Sequence, residues 1–188
     1  MTVPNLDADE ALLGNANHLG VYVAPVGTTA PAVTLTELAS PWETLGWVSE
    51  DGVSISPERS IEQLKAWQSP SAIKTVLTEF SITIDMELLQ HNPVTLSHYW
   101  GQAVATPVSG DLTMPIDVMS DNAPKTALIV DTRDGDQIAR YLFYKAQVIA
   151  VGELGISRGG FQALPVTFTA LDPGTGIPAT VYLLTDGA

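Results

Sequence analysis

The chain has 188 residues, no cysteine and a formal charge of −13, with 21 acidic side chains against 8 Lys and Arg. These numbers exclude disulfides and thiolate chemistry. They also argue against unaided docking on duplex DNA or on anionic lipid, both of which need clustered cations. With 45% hydrophobic and only 15% charged residues, the chain is no acidic disordered tail and has enough apolar material for one sizeable core.

Taken from the start, Met1–Glu10 carries acids where a secretory leader would have a basic region, and no apolar run follows. Residues 1–19 read as an N-terminal arm, and Gly20–Ala24 as a first short strand closed by Pro25-Val-Gly27. Gly46–Ser56 favours β structure, with a turn or bulge at Glu50-Asp51-Gly52. Pro57–Ser71 reads as a loop with a short helix at Ile61–Trp67. From Thr75 to Leu88 the even positions carry Val76, Phe80, Ile82, Ile84, Met86 and Leu88, and the odd ones Glu79, Asp85 and Glu87. That period of two predicts one long strand, about 45 Å at about 3.4 Å per residue, apolar on one side and acidic on the other.

Pro93–Trp100 is predicted to be a helix, N-capped by Asn92 and stopped by Gly101, packing through Leu96, Tyr99 and Trp100. Two hairpins follow. Lys125–Thr132 and Gln137–Val148 flank the turn Arg133–Asp136, and Phe161–Leu171 and Ala179–Asp186 flank Pro173–Pro178. Leu164, Val166, Phe168 and Ala170 form the inward face of the second, and Pro165 places its strand at an edge or a bulge. The fold class is mainly β, an antiparallel sandwich or barrel of seven or eight strands with one flanking helix, in a single domain spanning 1–188.

Motifs for catalysis are missing from the sequence. It has no nucleophile elbow, Walker loop or dinucleotide fingerprint, and no cofactor is implied. Pro93 separates His91 from His98 and disfavours a joint metal site, leaving capping and surface roles for both. Asp131, Asp134 and Asp136 lack the EF-hand spacing and read as turn acids that bind nothing. Asp85 and Glu87, about 7 Å apart on one strand face, match glycosidase spacing, as almost any acidic strand would.

Charge placement says more than charge total. Residues 1–58 carry −8 and residues 75–124 carry −6, both without a single Lys or Arg. Between them lies an island of net +2 that holds Arg59, Glu62, Lys65, Trp67 and Lys74. A basic, Trp-bearing island between acidic strands suits a heterologous contact between copies, which builds rings or filaments.

Several stretches then resemble a known family. They are Asn17-His-Leu-Gly-Val-Tyr-Val-Ala-Pro-Val-Gly-Thr-Thr-Ala-Pro31, Leu45-Gly-Trp-Val-Ser-Glu-Asp-Gly-Val53, Lys65-Ala-Trp67, Glu79-Phe80 and Tyr99-Trp-Gly101. Together, over roughly residues 15–105, they are similar to the major tail tube proteins of long-tailed (siphovirus-type) phages, particularly those infecting actinobacteria. The resemblance implies a virion subunit, made in the host cytoplasm, that forms six-membered rings stacked into a hollow tube for DNA ejection. It implies lumen positions at Glu79, Asp85 and Glu87, and inter-ring contacts at Arg59, Glu62, Lys65 and Trp67. The stacking loop would be 57–72, with arms at 1–19 and 182–188. Partners would be the chain itself and the tape measure, tail tip and tail terminator proteins, with DNA passing unbound and no membrane involved. The alternatives are a tail terminator, a secretion-system tube protein, or a carbohydrate-binding or hydrolytic β-sandwich.

Overall fold

The computed structural model describes residues 20–29, 38–117, 123–134 and 137–184. In chain order its elements are β1 (Gly20–Pro25), β2 (Glu43–Thr44), β3 (Val48–Lys65), β4 (Ala72–Leu88), α1 (Pro93–Trp100), β5 (Lys125–Asp134), β6 (Gln137–Val151), β7 (Leu164–Ala170) and β8 (Ala179–Leu184). All strand pairs are antiparallel, in the order β2-β1-β5-β6-β7-β4-β3, with β8 also on β6. The predicted arm at 1–19 lies outside the described residues, as does 185–188 of the predicted C-terminal arm; residues 182–184 belong to β8. No helix among the described residues is long and apolar enough to cross a membrane.

The fold turns on β6. One edge pairs along its length with β5. The other edge is divided: Ile138–Phe143 pair with β8 and Ala146–Val151 with β7. One layer is therefore β2-β1-β5-β6-β8, the other β7-β4-β3, and β6 joins them. Val21, Val23, Leu128, Val130, Phe143 and Ala146 from the first layer meet Ile84, Met86, Leu88, Leu164, Val166 and Phe168 from the second in one buried core. The predicted inward positions Leu164, Val166 and Phe168 are all buried.

This division corrects the second hairpin. β7 and β8 do not pair with each other, because each takes its own half of β6. The segment between them crosses from one layer to the other. Its turn is organised by Asp172, whose carboxylate accepts from the backbone N–H groups of Gly174 and Gly176 and is thereby held below its usual pKa. Pro165 lies in an interior strand, not at an edge. Its carbonyl accepts from Gly152 N–H, just past the end of β6, so its missing N–H falls where the β6 ladder has stopped.

Other expectations hold with changes of detail. Between Val48 and Val53 the β3–β4 register slips, as the Glu50-Asp51-Gly52 signal predicts, and Gly52 takes a φ of 73° there. Asp131 is not an idle turn acid: it stands opposite Arg140, whose guanidinium donates to both carboxylate oxygens at 2.7 Å. Arg140 is itself buried, and this bidentate geometry offsets the desolvation of its charge.

Helix α1 closes one side of the core. Asn92 Oδ1 accepts from Thr95 N–H and Thr95 Oγ1 accepts from Asn92 N–H, a reciprocal cap, while Gly101 ends the helix in the left-handed region at φ 63°. Tyr99 is buried and donates to the Gly152 carbonyl, and Leu96 packs against the core. Trp100 does not pack inward as expected; it is 40% exposed and makes a T-shaped contact with the Tyr99 ring. His98 takes an inward place instead, beside the buried Thr95, Ser97 and Tyr99.

His98 is thus no surface or capping residue. It is 1% exposed, its ring is 5.4 Å from that of Phe168, and Nδ1 has no hydrogen-bond partner. Burial disfavours the imidazolium and lowers the pKa from 6.5 to about 4. The native state therefore requires neutral His98, while the unfolded chain takes up a proton below pH 6.5.

Two stability outcomes follow. Phe168→Ala should cost about 3–5 kcal/mol, read by chemical denaturation, because its ring fills the centre of the core. Lowering the pH from 6.5 towards 4 should remove up to about 3 kcal/mol through His98 alone. That loss should be absent from the corresponding curve of His98→Gln, whatever the variant's starting stability.

Candidate functional site: a projecting ribbon

The segment 57–72, expected as a loop with a helix at Ile61–Trp67, is mostly strand. β3 runs to Lys65 and β4 begins at Ala72, so only 66–71 form the tip. The spacing of Ile61, Leu64 and Trp67 imitates a helical face, but a matching strand follows directly and cross-strand pairing wins. Pro57 is accommodated because β3 is the last strand of its sheet.

Only the half of β4 nearest α1 has β7 beside it, from Thr83 to Leu88. The other half, with its β3 partner, leaves the body as a two-stranded ribbon exposed throughout residues 57–65 and 71–80. From Phe80 to the tip it extends roughly 25 Å, at about 3.4 Å per residue.

A bulge at Thr78 decides what each face of this ribbon presents. Ser60 stands opposite Glu79 but Ile61 stands opposite Leu77, so Thr78 is the extra residue, and its hydroxyl donates to the Ser60 carbonyl at 3.0 Å. Strict alternation would have put Leu77 on the acidic side. The slip instead places Leu77 with Ile61 on the side that continues from the core through Ile84–Ile55, Ile82–Pro57 and Phe80–Arg59. Arg59 lies over the Phe80 ring, 5.4 Å from its centroid. Trp67 at the tip is 99% exposed.

The residues singled out from the sequence sort by face. Arg59 and Lys65 lie on the core-continuing side, Glu62 on the reverse side opposite Val76, and Trp67 in the tip. Glu79, Asp85 and Glu87 all lie on the side of β4 away from the core, where Asp85 accepts from Thr167 Oγ1 at 2.5 Å and stands opposite Ser54. Asp51, Asp85 and Glu87 border a groove of about 410 Å³ that Val151, Pro165 and Thr167 also line. Among the described residues no three His, Cys, Asp or Glu side chains are grouped to hold a metal ion.

Sequence reading missed the apolar face formed by Ile61, Leu77 and Phe80. Its one signal was Leu77 itself, an apolar residue at an odd position beside the acidic series, which is what a bulge looks like before the partner strand is known.

A family model described as "Phage tail tube protein" matches residues 6–187. Among solved structures, one chain of the anti-feeding prophage baseplate, from a 6-fold symmetrised cryo-EM structure, aligns with a TM-score of 0.45 and 7% identity. That alignment covers 98% of this chain and 97% of the other. No curated protein sequence matches.

Proposed function

Because the chain belongs to the phage tail tube protein family, we propose that it is the repeating subunit of a hollow tail tube, assembled as stacked six-membered rings that conduct DNA during ejection. Its role is structural, within the tail of the virion, and the subunit performs no catalysis. It is made in the host cytoplasm, and its partners are other copies of itself, the tape measure, the tail tip and the tail terminator.

One observation carries this reading: a ribbon leaves the body with apolar side chains on its core-continuing face and a fully exposed Trp67 at its tip. An isolated two-stranded ribbon is at best marginally stable in water, and neighbouring copies supply what it lacks. Arg59, Glu62, Lys65 and Trp67 are then inter-ring contacts, with 57–72 as the stacking element. Trp and Arg suit such anchors, and their basic island meets the acidic surface of the next copy.

Glu79, Asp85 and Glu87 line the lumen in this reading. The support is that they share the face of β4 turned away from the core. Carboxylates along a channel repel phosphates, and without protein cations the counterions condensed on the DNA are not released, so DNA passes without adhering.

Negative-stain microscopy of concentrated protein should show rings or tubes; a protein that stays monomeric at every concentration would overturn the reading. Combined Arg59→Glu and Lys65→Glu should abolish long tubes while leaving the circular dichroism of the monomer unchanged. Tubes carrying Glu79→Lys, Asp85→Lys and Glu87→Lys should still assemble, yet retain duplex DNA on a filter at low salt and release it as salt rises. Wild-type tubes should retain none at either salt.

A further inference from the structure

A second bare apolar surface lies at the same end of the molecule as the ribbon. Cross-strand pairing sets Val181 opposite Tyr141 and Leu183 opposite Ala139, and places Ala179 opposite Phe143, a core residue. Val181 and Leu183 therefore lie on the core side of the β6–β8 layer. They are nevertheless 53% and 59% exposed. The opposing layer does not reach over them.

The topology explains both bare surfaces at once. β4 and β6 are each antiparallel to β7, so they run in the same direction. In register, Thr83 of β4, Thr169 of β7 and Gln147 of β6 lie side by side. β7 ends at Ala170, and beyond it the layers share no strand. Past that point β4 continues as the ribbon and β6 continues with β8, and Ile61 and Leu77 on the first and Val181 and Leu183 on the second are left uncovered. Ile61 and Leu77 on one are 58% and 56% exposed, close to the values for Val181 and Leu183 on the other.

Resting on the tube reading, we propose that these two surfaces are halves of one interface. The ribbon face of one copy, Ile61, Leu77 and Phe80, packs on the β6–β8 face of a neighbouring copy, at Val181 and Leu183, and completes in trans the sandwich that β7 leaves unfinished. The occupant is a second copy because the tube reading makes other copies of this chain its neighbours and the two exposed faces belong to the same chain. Reach agrees: the ribbon overhangs by roughly 25 Å, against a radius of gyration of about 16 Å for a compact chain of this length. Chemistry agrees as well: Val181 and Leu183 present apolar side chains on the receiving face, as Ile61, Leu77 and Phe80 do on the ribbon. The contact is heterologous, since ribbon meets sheet and not ribbon, so it propagates around a ring or along a tube without closing on a pair.

The absence of native cysteine makes a clean test available. Leu77→Cys and Val181→Cys are made as separate proteins, mixed, assembled and oxidised. A disulfide needs Cα atoms within about 7 Å, so the mixture should give a covalent dimer on a non-reducing gel and neither protein alone should. Tubes with no mixed dimer overturn the interface while leaving the tube reading intact, and so does an equal dimer from Leu77→Cys alone, which would mean ribbon against ribbon. Wild-type protein that forms neither ring nor tube overturns the tube reading and this contact with it. As a second measurement, Leu77→Asp and Val181→Asp should each raise the critical concentration for assembly about tenfold or more, as burying a charge at a packed apolar contact does. Critical concentrations unchanged in both would overturn the interface.

Discussion

A β-strand has two edges, and what occupies each edge of Gln137–Val151 determines the rest of this molecule. Fifteen residues of strand are more than any one neighbour spans on the second edge, so β8 takes the first part and β7 the second. Because β7 carries β4 and β3 with it, the sheet folds over and closes on Phe168, Ile84, Leu128 and Phe143. The same division leaves each layer incomplete at one end. The ribbon and the open face of β8 are two consequences of a single pairing decision.

Such an architecture separates folding from assembly. The core beside α1 is closed, capped and dense, with His98 held neutral against Phe168. The far end keeps apolar side chains in water. In a monomeric protein an exposed apolar surface of that kind would be an aggregation hazard. Here the bulge at Thr78 and the strand-bound cations Arg59, Lys65 and Lys74 restrict what can pair with it. A twisted, charged, bulged ribbon accepts few partners, which favours ordered growth over indiscriminate sticking.

Electrostatics acts at two ranges. The overall charge of −13 keeps free copies apart and keeps polyanions off most of the surface. At short range the proposed contact through the basic residues of the ribbon works against that repulsion only where an acidic neighbour approaches. Screening by salt weakens the first effect more than a packed contact, so association depends on ionic strength as well as concentration.

Much of this was legible in the chain itself. Alternation from Phe80 to Leu88, the Asn92-Pro93 start and Gly101 stop of the helix, and the inward series Leu164, Val166 and Phe168 are local patterns, set by periods of two and 3.6 and by the conformational limits of Pro and Gly. The acidic face of β4 and the basic island beside it follow from composition along the chain. What local pattern could not decide was which strand meets which. Whether β7 pairs with β8 or with β6, whether Leu77 sides with Glu79 or with Ile61, and whether Trp100 or His98 enters the core all depend on partners distant in sequence. Hydrogen-bond register between distant segments is a property of the whole sheet, and only the tertiary structure settles it.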